Sequence, residues 1–298
     1  MDLLGSSIGA WRYATYCRAD FKQAFEHFEH TYFTQRYSDD ADREEITRVI
    51  TGMLEELISK EQEQEILDNP KFRINLFADR SRGITNTDKR LILSVGLITA
   101  AKFNLLSRST LSWFFERTLF HHPDSTAEFI GKDQLPTERF ALNESNLKAA
   151  ILASGSIPMV VDGIEIEGAK PGLYRDGGLV DYHMNLPFEV SDGLVLHPHF
   201  SPTVYPGWMD KYLKFRKPNL DYFNQVLLVC PSDEFIKSLP LSKIPDRSDF
   251  ERFVGDDAGR VDYWREVTKR SEQLGNELLH LFETEKPLKF IKPISELA

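Results

Sequence analysis

Two hydrophobic spacings alternate along this 298-residue chain. Apolar residues that recur every three to four positions predict helices, and short apolar runs closed by turn residues predict buried strands. Ala10 to Phe28 reads as a first helix, with Ala10, Ala14, Cys17, Phe21, Ala24, Phe25 and Phe28 on one face. Asp42 to Asn69 predicts a long amphipathic helix carrying Ile46, Val49, Ile50, Met53, Leu54, Leu57 and Ile58, with Glu61 to Glu65 as its solvated end. Phe72 to Phe77 predicts a strand, turned at Arg80–Gly83. Asp88 to Phe120 reads as helical, broken near Leu105–Ser109, and Asn146 to Ala153 as a short helix. Leu173–Arg175, Leu194–Leu196 and Val226–Cys230 predict strands, and Asp256 to Glu285 a closing helix with Trp264, Val267, Leu274, Leu278 and Leu281 on its apolar face. Short apolar strands alternating with helices indicate an α/β protein with a mainly parallel central sheet. Neither repeats nor a low-complexity linker divide the chain, so residues 1–298 read as a single domain with a helical C-terminal extension from about residue 250.

Composition narrows the classes. Hydrophobic residues make up 41% and charged residues 28%, the balance of a globular protein. The net charge of −10 argues against nucleic acid as a partner. It also disfavours electrostatic docking to anionic lipid, except at a local patch such as Lys211–Lys217. Two cysteines, Cys17 and Cys230, exclude a disulfide framework and fit a reducing, cytoplasmic compartment. The longest apolar stretch, Leu91 to Leu106, is interrupted by Lys102 and too short to span a bilayer. Trp113-Phe114-Phe115 with Leu119-Phe120 fits either core or a lip against lipid, so peripheral membrane contact stays open.

Two motifs carry chemistry. Gly5-Ser6-Ser7-Ile8-Gly9 has the Gly-x-Ser-x-Gly spacing of a nucleophile elbow, a sharp strand-to-helix turn that exposes the serine hydroxyl. Leu3-Leu4 supplies the end of a strand before it, and the predicted helix follows. The helix start places N–H groups beside Ser7, where a developing oxyanion is favoured. Gly5 and Gly9 would keep Cβ atoms out of the tight turn. Asp176-Gly177-Gly178 follows a strand-like run and leaves the Asp176 carboxylate uncrowded, although Asp-Gly is also a favoured hairpin pair. Composition alone would produce each motif in roughly one such chain in fifteen.

With Ala153-Ser154-Gly155-Ser156-Ile157-Pro158 between them, these motifs resemble the patatin-like phospholipases across about residues 3 to 190. The resemblance implies a patatin-like three-layer sandwich and a catalytic dyad, with Ser7 as nucleophile and Asp176 as its proton acceptor. It implies hydrolysis of acyl esters of lipids, without metal or other cofactor. The family also carries a Gly-rich oxyanion loop upstream of its elbow, and this sequence starts at the elbow strand. An N-terminally truncated domain is therefore expected, with the Ile8 backbone N–H as the remaining oxyanion donor. Two alternatives stay open. An α/β-hydrolase triad would add a histidine from His183, His197, His199 or His280. A non-catalytic patatin-like scaffold would bind lipid or a partner. His27, His30, His121 and His122 lack the spacing of a metal site.

Overall fold

A computed structural model describes residues 1–125, 128–190, 193–284 and 291–297. The chain is α/β. Seven strands are named here: β1 (Asp2–Gly5), β2 (Arg73–Ser81), β3 (Phe115–His121), β4 (Thr137–Ala141), β5 (Tyr174–Asp176), β6 (Val195–Pro198) and β7 (Val226–Val229). The helices are α1 (Ile8–Tyr16), α2 (Phe21–Thr34), α3 (Arg43–Leu57), α4 (Lys60–Leu67), α5 (Arg90–Leu106), α6 (Leu147–Ser154), α7 (Asp233–Ser238), α8 (Ser248–Arg252) and α9 (Asp257–Glu283).

The main sheet runs β1-β2-β3-β4, with β5 also paired to β2, and β6 and β7 form a separate parallel pair. The β1–β2, β3–β4 and β6–β7 ladders are parallel, and the β2–β3 and β2–β5 ladders are antiparallel. The register along β2 decides where the chemistry falls. β1 pairs with Arg73 to Leu76, and β5 pairs with Ala78 to Arg80. Because β3 occupies the other edge of β2, β1 and β5 lie end to end along one edge. They run in opposite senses, so their C-terminal ends meet: Gly5 is opposite Leu76, and Asp176 is opposite Ala78.

Alternation along β2 divides the core. Ile74, Leu76 and Ala78 face a cluster with Ala10 and Ala14 of α1, Phe28 of α2, Leu54 and Leu57 of α3, and Ile151 of α6. Phe77 points the other way, against Leu119, Ile130 and Leu186. Helices thus cover one face of this strand, and irregular segments the other. Burial of this apolar surface is the main favourable term in folding.

Several predicted elements are divided or changed. The first helix breaks after Tyr16, where Arg18 forks onto Asp20 at 2.7 and 2.8 Å and also donates to the Leu57 carbonyl at 2.9 Å. The second breaks at Ser59, which starts α4 through a capping box with Gln62. Its acidic end is not wholly solvated, because Glu63 is buried and pairs with Lys148 at 3.0 Å. The strand predicted to end at Phe77 continues to Ser81, so Arg80 and Ser81 belong to strand rather than turn. The largest difference follows α5: Arg108–Trp113 is a 3₁₀ turn, and Phe115–His121 is a central strand rather than helix. Aromatic and β-branched residues fit a pleated surface, and pairing on both sides overrides the helical spacing there. β4 had no expectation from the sequence. α9 ends at Glu283, and Glu285 lies outside the described residues. α9 is docked rather than free-standing: Trp264 stacks on Tyr32 and meets Phe33 edge-on, with ring centroids 5.7 and 5.6 Å apart.

Candidate active site

Ser7 closes the turn between β1 and α1 with φ 53° and ψ −131°, a conformation that L residues rarely adopt. A strained serine between strand and helix is the geometry of a nucleophile elbow. Gly5 is required by its surroundings, since a Cβ there would lie 2.7 Å from the Ala10 nitrogen. Gly9 is not: a Cβ there would meet nothing within 4 Å, against the expectation that both flanking glycines relieve crowding.

The Ser7 hydroxyl lies close enough to the Asp176 carboxylate to favour its charged form, so the two motif residues, 169 positions apart, are brought to one place. The second carboxylate contact comes from the Gly178 N–H, which donates to Oδ1 at 2.7 Å. Gly177 lets β5 lie against β2, because a Cβ there would fall 2.7 Å from the Phe77 carbonyl oxygen. Arg175, on the opposite face, is fully buried and locked to Asp88 at 2.6 Å. That anchor fixes which way the next side chain, Asp176, points.

The Ser-rich turn joins the two motifs. The Ser7 N–H donates to Ser154 Oγ at 2.9 Å, and the Asp176 N–H donates to the Ser156 carbonyl at 3.0 Å. Ser156 Oγ in turn donates to the Leu152 carbonyl at 3.0 Å. Both serines are fully buried. They are positioning residues that the sequence revealed as a motif but without a role.

Burial pushes the Asp176 carboxyl up to about 6, while the nearby Ser7 hydroxyl, the Gly178 N–H and the charge of Arg247 oppose the shift. An acid at that value is ionised at neutral pH and basic enough to share a proton. In the first turn of α1, the N–H groups of Gly9 and Ala10 bond back to the Ser6 and Ser7 carbonyls. The N–H of Ile8 is one of the orphan donors of a helix start, beside the serine.

The histidines lie elsewhere. His183 and His197 each meet His199 edge to face, with ring centroids 4.3 Å apart for His183–His199 and 5.4 Å for His197–His199. His183 Nδ1 accepts from the Tyr205 N–H at 3.1 Å, so that nitrogen does not donate to the carboxylate. His280 is on α9. Among the described residues no histidine bonds to Ser7 or Asp176, so the triad's third member is not supplied by this geometry. No group of three or more His, Cys, Asp or Glu among the described residues is placed to hold a metal ion.

The histidine cluster predicts acid sensitivity. Burial pushes His183 down to about 3 and His197 to about 4, from an ordinary 6.5. The unfolded chain takes up these protons near 6.5 and the folded chain only near 3–4. Stability therefore falls as the pH drops below about 6.5. Thermal melts between pH 7 and 4.5 should show a steeper loss for the native chain than for His197→Leu; equal slopes would remove the cluster as the cause.

The other expectations from the sequence divide. Phe114, Phe115, Leu119 and Phe120 are core, whereas Trp113 is 61% exposed. Cys17 is buried and its thiol pushed up to about 12, which makes it inert. No helix among the described residues is long and apolar enough to cross a membrane. An open polar groove bordered by Asp42, Arg43, Asp88, Arg90 and Glu165 is lined by neither Ser7 nor Asp176. Comparison with models of protein families gives no match, and no curated protein compared with the chain matches it.

Proposed function

We propose that this chain is a serine acyl-ester hydrolase of patatin-like type, working through a Ser7–Asp176 dyad on ester-linked acyl chains of lipids. The observation that carries the reading is that a serine in a strained strand-to-helix turn is brought beside a buried carboxylate raised toward neutrality, where β1 and β5 meet along β2. Asp176 takes the hydroxyl proton as Ser7 Oγ attacks the ester carbonyl. The charge that develops on the carbonyl oxygen is met by the Ile8 N–H and the α1 dipole. Collapse releases the alcohol, which receives the proton held by Asp176. Water, deprotonated by the same carboxylate, then hydrolyses the acyl-enzyme. No cofactor enters these steps.

A fluorophosphonate probe tests this directly, because it reacts covalently with an activated serine. The native protein should be labelled and Ser7→Ala should not. Labelling that survives Ser7→Ala, or no labelling of a folded native protein, would overturn the assignment.

A further inference from the structure

α5 is apolar on both sides. Its inward face, Leu93, Gly96, Ala100 and Asn104, is buried. Its outward stripe is Leu91, Val95, Ile98, Lys102 and Leu105, at helical spacing, and all five are exposed. Leu91 and Leu106 are more than 80% exposed. Scattered exposed leucines need no explanation, but a contiguous apolar stripe on one helix marks an interaction surface.

The stripe continues past the helix end. Trp113 packs edge-on against Phe103, with ring centroids 5.4 Å apart, and remains largely exposed. The 210–217 segment is tied to the same end: Asn104 donates to Asp210 at 2.7 Å, and Arg216 donates to the Asn104 carbonyl. It adds exposed Tyr212 and Phe215 beside exposed Lys214 and Lys217.

Charge selects the occupant. The chain holds 46 acidic residues, yet none falls between Lys89 and Phe115 or between Lys211 and Leu220. Asp210, at the border, is fully buried. Lys102, Lys214 and Lys217 thus edge the apolar stripe, whereas Lys89 and Arg90, at its other end, border the groove that also holds Asp42, Glu44, Asp88 and Glu165. A second copy meeting this face through a two-fold axis would bring like charges together. An apolar helix face edged by cations, with Trp and Tyr beside it, is the pattern of an element that lies in a bilayer interface. We infer that α5, Trp113 and the 211–217 segment form a docking face for a membrane surface bearing anionic lipids.

The face adjoins the candidate site. Ser94 of α5 reaches Met159 Sδ at 3.8 Å, and Met159 follows the turn whose Ser154 and Ser156 hold the dyad. Docking itself stands on the surface alone; that it presents lipid to Ser7 rests on the hydrolase reading.

Sedimentation with vesicles tests it, using phosphatidylcholine alone and phosphatidylcholine mixed with phosphatidylserine. The native chain should sediment with the mixed vesicles and weakly with neutral ones. Val95→Glu/Ile98→Glu should reduce binding at least about tenfold. Lys102→Gln/Lys214→Gln/Lys217→Gln should reduce it by about a hundredfold, roughly fivefold for each lysine. All five side chains point outward, so melting temperatures should stay at the native value. Failure of the native chain to bind, equal binding to both vesicle types, or undiminished binding by the variants would overturn the inference. So would a lipid-free dimer that Val95→Glu/Ile98→Glu dissolves. Ser7→Ala separates the two proposals, because it should sediment like the native chain while losing probe labelling. Labelling without vesicle binding overturns only docking; binding without labelling overturns only the hydrolase.

Discussion

Asp176→Asn should abolish most ester hydrolysis and at the same time make the protein more stable above pH 6. The two effects have one cause. Asp176 sits almost wholly out of water, and burial raises its carboxyl from 3.8 to about 6. In the unfolded chain it ionises near 3.8, so folding works against the charge whenever the pH lies above that value. The sign follows: stability is lost as the pH rises from about 4 to 6 and stays lost above. A shift of about two units corresponds to roughly 3 kcal/mol at most, and the altered bonding to Ser7 offsets part of it. Asparagine keeps the shape, can still accept from the Gly178 N–H, and never ionises. A gain of about 1–2 kcal/mol at pH 8 should therefore shrink toward zero near pH 4. Activity moves the other way. Removing a general base typically costs about 10²–10⁴ in rate. The kcat/KM of the native chain on a soluble ester should rise with pH through about 6 as Asp176 ionises, and the residual activity of Asp176→Asn should lack that limb. A variant that lost activity and stability together at pH 8 would mark Asp176 as structural rather than catalytic.

How far the sequence led depends on what each residue's role required. The elbow, the Asp-Gly-Gly turn and the α/β class follow from local spacing. The closing helix and the short strands at 174, 195 and 226 were legible for the same reason. What failed was non-local. Phe115 to His121 has a helix-like distribution of apolar residues, but Arg117, Thr118, Leu119 and Phe120 are all buried between two neighbouring strands. No window of sequence contains those neighbours. The same limit hid Ser154 and Ser156, since the acceptors they offer serve donors 147 and 20 positions away. The breaks at Arg18 and Ser59 were more accessible: Ser59-Lys60-Glu61-Gln62 spells a capping box inside the predicted helix. The end-to-end meeting of β1 and β5 along β2, which brings Ser7 to Asp176, is topology and could not be read from spacing.

A second large effect should come from Arg117→Met, behind the site rather than in it. Arg117 is 1% exposed, and its guanidinium holds Asp181 at 2.6 Å and Asp133 at 2.9 Å, both carboxylates being buried as well. Burial opposes its charge, but the two carboxylates more than compensate and hold it protonated above its ordinary value. Arg108 adds a second guanidinium 3.3 Å from Asp181 and donates to the Val180 carbonyl. On the other side the Val180 N–H donates to Asp79 at 3.1 Å. This network pins the segment that directly follows Asp176-Gly177-Gly178. Asp79 already sits well above the ordinary carboxylate range, through burial first and the charge of Asp181 second, and Arg117 and the Val180 N–H oppose that rise. Methionine fills similar space but leaves the buried Asp133 carboxylate without its guanidinium, Asp181 with Arg108 alone, and Asp79 beside Asp181. Removing one partner of a buried ion pair costs about 3–5 kcal/mol, because the other charge stays behind. Asp79, which Arg117 helps to hold down, should then rise further above its unfolded value. Such groups destabilise as the pH rises, so the deficit of Arg117→Met should be largest near pH 8 and shrink toward pH 5. Urea denaturation at both values checks the sign. Adding Asp133→Asn and Asp181→Asn to Arg117→Met should recover much of the loss, which simple loss of packing around Arg117 would not allow. A deficit independent of pH would mean that packing, not charge, holds the Asp-Gly-Gly turn in place.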